Sequence, residues 1–227
     1  MSPQDVCVLI PGYNEGKNIG RVVSAVRSLG FPVLVVDDGS QDDMAAQASR
    51  AGAEVLSYTP NQGKGTALRR GIEHFLKKNS QNALICMDSD GQHDPADLVL
   101  FLKALEDPKV DLVIGNRMSD PKGMPLIRRL TNRGMSAILS LAAGQRVPDT
   151  QCGYRAGKRE ALSKIRLKTA RFEIESEMIL EAARTGSRMA SVPVRSVYEG
   201  GTSHIRPGRD TARFFGFLAG YLLRRRS

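Results

Sequence analysis

Short apolar runs alternate with helical patterns along the first half of the chain. The runs that predict buried strands lie at residues 6–10, 32–36, 53–58, 83–87 and 111–115. Between them, apolar residues recur every three or four positions, which predicts helices at residues 19–29, 44–50, 67–77 and 95–105. Strands that are apolar throughout and alternate with helices are typical of a parallel sheet with both faces covered. The pattern therefore predicts an α/β fold with a mostly parallel central sheet flanked by helices.

The pattern changes after residue 125. It predicts a long helix at residues 125–143, an irregular stretch that contains residues 149–155, a second helix at 172–186 and a late strand at 189–198. We expect one sheet-containing domain over residues 1–208, followed by a C-terminal helix over residues 209–227.

The C-terminal helix is predicted to be amphipathic and basic. Arginines stand at positions 224–226, and the apolar face consists of Phe214, Phe217, Leu218, Tyr221 and Leu222. The apolar length is too short to cross a bilayer but is suited to lying on its surface. Two interpretations stay open, because the same face can contact an anionic membrane or dock on the protein's own core or on another subunit.

Polar and acidic residues follow each predicted strand. Because the carboxyl ends of parallel strands meet at one edge of a sheet, these polar and acidic residues predict a binding site at that edge. After the fourth strand, Asp88 and Asp90 are two positions apart, and Gln92 continues the spacing, whereas Asp94 precedes Pro95 and is predicted to cap the next helix. Neighbouring carboxylates repel each other, and a divalent cation removes that cost. An incomplete set of oxygen ligands suits Mg²⁺ or Mn²⁺, which takes further oxygens from water and substrate phosphates.

The composition indicates an anionic partner. The formal net charge is +9, with much of the excess in the second half, whereas aromatic residues make up 5% and Trp is absent. Nucleic acid is excluded as the expected partner, because its binding calls for basic residues interleaved with stacking aromatics. Phosphorylated metabolites or an anionic membrane surface fit better. Scattered cysteines, no signal peptide and no long apolar segment predict a cytoplasmic protein, at most peripheral on the inner face of the cell membrane.

Several motifs resemble one enzyme family. Five segments resemble, in their order and spacing, the motifs of family 2 glycosyltransferases with the GT-A fold. They are VLIPGYNEGKNI, VLVVDDGSQD, NQGKGTALRRGI, ICMDSDGQHDP and VIGNR. Three segments most resemble the branch of this family that contains dolichol-phosphate mannose synthases and polyprenol-phosphate glycosyltransferases. They are DSDGQHDP, DTQCGYR and FEIESEM. The resemblance extends from residue 5 to about residue 200.

The resemblance implies a metal-dependent, inverting transfer of a sugar from a GDP- or UDP-linked donor to a polyprenol phosphate or another membrane lipid. Residues expected to contact the donor are Pro11, Tyr13, Glu15, Asp38, Lys64 and Ser89. Among these, Asp38 is expected to read the base. The family's metal and diphosphate positions match Asp88, Asp90 and Gln92.

Basic residues complete the expected site. Arg117 and Arg128 match residues of the family that hold phosphate groups, and Arg206 lies in a segment similar to its acceptor-side loop. The residues expected to take part in catalysis are Asp90, Arg117 and Asp149.

The acceptor decides whether a general base is needed. A lipid phosphate is already an anion, whereas a saccharide hydroxyl needs a carboxylate base, for which the candidates are Asp149, Glu173 and Glu175. Both acceptors stay open. A nucleotidyltransferase is a weaker alternative, because it would need a glycine-rich basic loop where this chain has Glu15. A non-catalytic nucleotide-binding protein is the remaining alternative.

Overall fold

A seven-stranded sheet forms the centre of the protein, for which a computed structural model describes residues 1–121, 123–195 and 207–224. The strands are β1 (Val6–Gly12), β2 (Val33–Asp37), β3 (Glu54–Ser57), β4 (Ala83–Cys86), β5 (Leu112–Asn116), β6 (Arg155–Lys158) and β7 (Met189–Pro193). Their order across the sheet is β3-β2-β1-β4-β6-β5-β7. All neighbours are parallel except that β6 runs antiparallel to both β4 and β5. The predicted mostly parallel α/β fold is confirmed.

Helices cover both faces of this sheet. They are α1 (Gly16–Ser28), α2 (Met44–Arg50), α3 (Lys64–Lys78), α4 (Leu98–Leu105), α5 (Leu126–Ala143), α6 (Arg159–Lys164), α7 (Glu173–Arg184) and α8 (Pro207–Arg224). Alternate residues of β1 belong to different apolar clusters, with Val6, Val8 and Ile10 in one and Cys7 and Leu9 in the other. Because successive side chains of a strand point to opposite faces, β1 is buried on both sides.

Strand β6 and helix α6 were not predicted from the sequence, which indicated an irregular stretch containing residues 149–155. β6 is short and its sequence, Arg-Ala-Gly-Lys, has no β-branched residue, so its strand conformation comes from pairing with two neighbours. Arg155 is only 3% exposed. Its guanidinium donates hydrogen bonds to the carbonyl oxygens of Thr150, Cys152 and Glu175. The inserted strand therefore holds residues 149–153 beside the end of β4.

The apolar face of the C-terminal helix docks on the protein itself. Phe214 and Leu218 of α8 are buried in the same cluster as the β1 side chains Val6 and Val8. The Tyr221 hydroxyl donates a 2.8 Å hydrogen bond to Glu181 Oε1 of α7. The sequence left open whether this face contacts a membrane or docks on protein, and in the structure it docks on the protein's own core. The predicted boundary at residue 208 falls in the first turn of α8, and the helices of the described ranges include none with the length and hydropathy of a membrane span.

Removing the Tyr221 hydroxyl by a Tyr221→Phe substitution is expected to weaken this docking. Burial raises the pKa of Glu181, but hydrogen bonds from Arg184 and Tyr221 outweigh it and the net pKa is lowered. The hydrogen bond to the ionised carboxylate is expected to contribute about 1–2 kcal/mol at neutral pH. A group with a lowered pKa stabilises the fold above its ordinary pKa and loses that contribution as pH falls through the lowered value. The effect should therefore shrink in acid.

Urea unfolding of Tyr221→Phe at neutral pH and at a pH below the ordinary glutamate range measures both parts of this prediction. The control is Tyr13→Phe, because Tyr13 is 42% exposed. A Tyr221→Phe effect of the same size at both pH values would contradict the role given to Glu181.

Candidate active site

Asp88 lies just beyond β4, between the start of α3 and the 149–153 segment. Its Oδ1 atom is 2.7 Å from Lys64 Nζ. Gly153 approaches the same carboxylate so closely that an added Cβ would lie 2.7 Å from Asp88 Oδ2. Burial raises the pKa of Asp88, but the positive charges of Lys64 and Arg117 outweigh burial and lower it to a net value of about 2. Asp88 is therefore a carboxylate at neutral pH, as a cation ligand must be.

Asp90 stands two residues further in the same loop. Partial burial raises its pKa, and the negative charges of Asp88 and Glu15 raise it further, whereas the backbone N–H of Gln92 opposes them with a 2.9 Å hydrogen bond to Asp90 Oδ1. The net shift is upward, first because of burial and then because of the neighbouring charge of Asp88. Gln92 is half-buried in this loop. Within the described part of the chain, no group of three or more His, Cys, Asp or Glu residues is arranged to hold a metal.

The two aspartates fit a divalent cation that takes only part of its ligands from protein. Mg²⁺ and Mn²⁺ bind through one or two carboxylates and complete their coordination with water and phosphate oxygens. Asp88 and Asp90 would hold such an ion, because both carboxylates stand in one short loop at the end of β4, where Asp88 is paired with Lys64 at 2.7 Å.

Lys64 begins α3 and connects two carboxylates. Its Nζ atom is 2.7 Å from Asp88 Oδ1 and 2.8 Å from Glu175 Oε1 of α7. Burial lowers the pKa of Lys64, but Asp88 and Glu175 raise it more, so the net shift is upward and the side chain stays an ammonium ion. Gly65 lets this turn approach the segment just before α7, because a Cβ there would lie 2.5 Å from the Ala170 carbonyl carbon. The positive charge of Lys64 is thereby fixed at the acidic strand end.

Arg117 and Asp149 form a buried, two-fold hydrogen-bonded ion pair. Arg117 follows β5 directly, and its Nε and NH2 atoms donate to Asp149 Oδ2 and Oδ1 at 2.7 and 2.9 Å. The Arg117 backbone N–H also donates to Asp149 Oδ2 at 3.1 Å. Asp149 is 0% exposed and Arg117 is 7% exposed. Both Asp149 oxygens thus orient the Arg117 guanidinium, and the positive charge of Arg117 helps to lower the pKa of Asp88.

Sequence reasoning missed the support behind the acidic loop. His93 stacks on Tyr154 with ring centroids 4.8 Å apart, and its Nδ1 atom accepts a 3.2 Å hydrogen bond from the Asp88 backbone N–H. Burial lowers the pKa of His93 to about 4, so the ring is neutral and can accept that bond. The only signal in the sequence was the position of His93 next to Gln92. Its partner, Tyr154, is 61 residues away along the chain.

The expected nucleotide contacts lie at the ends of β1 and β2. Pro11 is buried within β1, and Tyr13 is exposed at its end. Glu15 Oε2 accepts a 2.9 Å hydrogen bond from Asn18 Nδ2. Asp38 is 3% exposed, and its two oxygens accept from the backbone N–H groups of Gln62 and Gly63 at 2.8 and 2.7 Å. Asp38 holds the loop that carries Lys64, and its expected role in reading the base stays a prediction.

The remaining expected site residues are spread more widely. Ser89 is 7% exposed, and its Oγ atom lies 3.1 Å from the position of an added Cβ on Gly12 at the end of β1. Arg128 is half-buried in the first turn of α5. Arg206 lies outside the described residues. Phe172, which sequence reasoning did not single out, is 61% exposed with Lys64 Nζ 5.8 Å from its ring.

A Gly153→Ala substitution is expected to displace the Asp88 carboxylate, because the new methyl group would occupy space within 2.7 Å of it. Displacement by about 1 Å should lower kcat by about ten- to a hundredfold while changing stability little. Steady-state assays and urea unfolding measure the two effects. The matched control is Gly134→Ala, where an added Cβ meets nothing within 4 Å. Full activity of Gly153→Ala would show that Asp88 tolerates movement.

Comparisons with known proteins agree with this geometry. Residues 7–166 match the family described as Glycosyl transferase family 2. Glycosyltransferase AglJ of Haloferax volcanii is 34% identical over 94% of this chain and 71% of that protein. The undecaprenyl-phosphate mannosyltransferase of Micrococcus luteus is 32% identical over 85% of this chain and 83% of that protein.

A solved structure has the same fold. The mannosyl-3-phosphoglycerate synthase of Rubrobacter xylanophilus matches with a TM-score of 0.72 at 20% identity, over 97% of this chain and 73% of that chain. The seven-stranded sheet has the GT-A type of α/β fold, and the family match together with the relatives makes the protein a glycosyltransferase. The chain belongs to glycosyltransferase family 2. The names of its relatives support the polyprenol-phosphate branch that the motifs indicated.

Proposed function

We propose that this glycosyltransferase moves a sugar from a GDP- or UDP-linked donor to a polyprenol phosphate or another membrane lipid phosphate, using Mg²⁺ or Mn²⁺. The observation that carries the proposal is the acidic strand end, where Asp88 and Asp90 lie beside the cations Lys64 and Arg117. Relatives with comparable coverage carry names that specify dolichyl phosphate and undecaprenyl phosphate as acceptors.

The state of the candidate bases favours an acceptor that is already an anion. Asp149 accepts from Arg117 through both oxygens, and Glu175 pairs with Lys64 at 2.8 Å. A carboxylate engaged in this way is a poor general base, because taking a proton would break its ion pair. A phosphate acceptor needs no base, only cations to position it. A saccharide hydroxyl is therefore the second candidate, with Glu173 as the base left for it.

The chain's own residues have distinct roles in this reaction. Asp88 and Asp90 would hold a divalent ion, which would supply electrophilic stabilisation of the departing diphosphate. Arg117, held in place by Asp149, supplies a fixed positive charge beside that group, and Lys64 supplies another. Arg128 and Arg206 are proposed to hold the acceptor phosphate, with Tyr13, Glu15 and Asp38 on the nucleotide side. A single displacement needs no protein nucleophile, so inversion at the anomeric carbon is expected.

The location and division of the chain follow from the same proposal. Residues 1–208 are the proposed catalytic unit, and residues 209–227, which include most of α8, are the proposed C-terminal unit. The protein works at the cytoplasmic face of the membrane, where nucleotide sugars and a lipid phosphate meet.

A screen of radiolabelled nucleotide sugars tests the proposal. Each donor is incubated with membranes and, separately, with soluble extract, in the presence of added Mg²⁺ or Mn²⁺ and in the presence of chelator. Metal-dependent label that partitions into organic solvent is the expected result. Water-soluble labelled saccharide would favour the hydroxyl acceptor instead. Pyrophosphate release from a sugar 1-phosphate and a nucleoside triphosphate would indicate a nucleotidyltransferase, and no turnover with any donor would indicate a non-catalytic nucleotide-binding protein.

A further inference from the structure

A cavity of about 510 Å³ lies between helices α6, α7 and α8, with Tyr221 of α8 in its wall. Glu177 of α7 lines this cavity, whereas Glu175 of the same helix contacts Lys64 at the candidate active site. Two neighbouring positions but one on a helix are about 200° apart, so these two side chains leave α7 on nearly opposite sides. The cavity therefore has the volume of a small-molecule site and is separate from the acidic end of β4.

The segment that connects α6 to α7 brings positive charge to the cavity. Residues 161–172 contain no Asp or Glu, and their basic residues are Lys164, Arg166, Lys168 and Arg171. Exposure alternates over residues 164–168, because Ile165 is buried and Leu167 half-buried in the apolar cluster that includes Phe75, whereas the residues between and beside them are exposed. Side chains of an extended segment alternate between two sides. Positions 164, 166 and 168 thus share one side, and all three line the cavity.

Two buried glutamates of α7 hold the backbone of this segment. Glu177 Oε2 accepts hydrogen bonds from the backbone N–H groups of Lys168 and Thr169 at 3.0 and 2.9 Å, and from the Thr169 hydroxyl at 2.7 Å. Glu181 Oε2 accepts one of 3.2 Å from the Arg166 N–H. The two glutamates are 4% and 7% exposed. Their carboxylates fix the main chain, so the basic side chains of the segment stay at the exposed rim.

The cations of the cavity outnumber its carboxylates. Against the two glutamates stand four cations, which are Lys164, Arg166, Lys168 and Arg184. Arg184 pairs with Glu181 at 2.9 Å, and Lys164 pairs with Glu160 at 2.7 Å in a well exposed contact that contributes little. Arg166 and Lys168 have no ion pair with the residues that the structure describes. The cavity therefore has two positive charges in excess, which a bound anion would neutralise.

We propose that this cavity binds a small, soluble phosphorylated anion with at least two negative charges, held by Lys164, Arg166 and Lys168. Phosphate suits these side chains, because arginine donates paired hydrogen bonds to phosphate oxygens and lysine binds them as a compact charge. The volume is sufficient for a phosphorylated metabolite or a nucleotide. This site goes beyond the proposed function, because neither the sugar donor nor the acceptor is proposed to bind on this side of α7.

Isothermal titration calorimetry of the full chain with pyrophosphate tests the proposal. A chelator keeps divalent ions out of the measurement, so that pyrophosphate is not held at Asp88 and Asp90 through a metal. The wild type is expected to bind pyrophosphate, and the double variant Arg166→Gln, Lys168→Gln to bind it about tenfold more weakly or worse, because two charge-assisted contacts are lost. Both side chains are exposed and the backbone bonds to the glutamates remain, so the melting temperature should change little.

The matched control is Lys77→Gln, Lys78→Gln, which removes the same charge from exposed positions at the end of α3. It should bind pyrophosphate as the wild type does. Pyrophosphate should also slow amide hydrogen exchange in residues 164–171 and 177–185 but not in the loop 88–92. No binding at millimolar pyrophosphate, equal binding by the Arg166→Gln, Lys168→Gln variant, an equal loss in the control, or slowed exchange confined to the loop 88–92 would each overturn the proposal.

A lipid headgroup presents the same phosphate chemistry, so vesicles of equal parts phosphatidylglycerol and phosphatidylcholine form a second arm. The Arg166→Gln, Lys168→Gln variant is expected to behave toward these vesicles as the wild type does. Loss of vesicle binding in this variant would show that the two cations contact a lipid surface, and the proposal of a soluble ligand would fail. Calorimetry needs neither donor nor acceptor, so it decides the cavity even if the wild type transfers no sugar and the proposed function fails.

Discussion

Replacing Asp88 or Asp90 with asparagine is expected to lower kcat for sugar transfer by about a thousandfold or more. The two carboxylates are the proposed protein ligands of the divalent ion, and an amide oxygen without charge binds Mg²⁺ or Mn²⁺ far more weakly. A loss of about 4 kcal/mol of stabilisation of the departing diphosphate corresponds to this reduction in rate. The measurement is kcat with the preferred donor over a titration of added Mn²⁺.

The two variants should differ in stability. Asp88→Asn removes a partner of Lys64 at 2.7 Å, whereas Asp90→Asn relieves a carboxylate whose pKa is raised. Asp90→Asn is therefore expected to be at least as stable as the wild type.

Asp94→Asn is the matched control in the same loop. Asp94 caps the following helical turn through a 2.9 Å hydrogen bond from Ala96 N–H to its Oδ1 atom, and asparagine can keep that bond. Its activity should stay within a few-fold of the wild type. If Asp90→Asn retained wild-type activity at every Mn²⁺ concentration, the proposed metal site would be wrong.

Breaking the Arg117–Asp149 pair is the second change with a large expected effect. Both residues are buried, so Arg117→Met removes the guanidinium that pairs with Asp149, and Asp149→Leu removes the carboxylate that pairs with Arg117. Each is expected to lower the free energy of unfolding by about 3–5 kcal/mol. The double variant Arg117→Met, Asp149→Leu should recover much of this loss, because neither charge is then left alone. Transfer activity is expected to stay lost in all three, which separates the role of Arg117 in the reaction from its role in folding.

Asp149→Asn distinguishes a positioning residue from a general base. If Asp149 orients Arg117, the substitution lowers kcat by about a hundredfold and does so equally for a phosphate acceptor and for a hydroxyl acceptor. If Asp149 is a base, transfer to an ionised phosphate is unaffected, and the acid limb of the pH–rate profile with a hydroxyl acceptor disappears. Parallel assays with a prenyl phosphate and a saccharide, each over a pH series, decide between these outcomes. Arg117→Lys is a useful companion, because a lysine cannot make the two-fold contact with Asp149.

The fold was largely predictable because its strongest signals are local. Ile19, Val22, Val23 and Val26 recur at helical spacing, and in the structure all four are buried on α1. The apolar runs became strands whose ends differ from prediction by one or two residues in most cases. β6 was missed because its four residues carry no apolar pattern and take their conformation from pairing with β4 and β5. The late strand expected to reach residue 198 ends at Pro193, and residues 196–198 lie outside the described part of the chain.

The candidate site was predictable as a collection of residue types but not as a set of contacts. Asp88 and Asp90 could be read from their spacing after an apolar strand, since that spacing brings both to one edge. The ion-pair partners of the charged groups could not be predicted from the sequence, because Lys64 and Glu175 are 111 residues apart and Arg117 and Asp149 are 32 apart. For the same reason Asp149 and Glu175 both stood as candidates for a base, although in the folded chain each already has a cation beside it.

By itself, the sequence determined the layered α/β architecture, the acidic end of the fourth strand and the family, because periodicity and short motifs act over a few residues. The tertiary structure alone decided which carboxylates are neutralised, since ion pairing depends on distances between segments far apart in the chain. It also decided which amphipathic helix faces outward. α8 has the more obvious apolar face in the sequence, yet that face is docked, whereas Leu126, Ile127 and Leu130 of α5 stay exposed because α5 turns Ser136 and Ser140 toward the 147–150 segment.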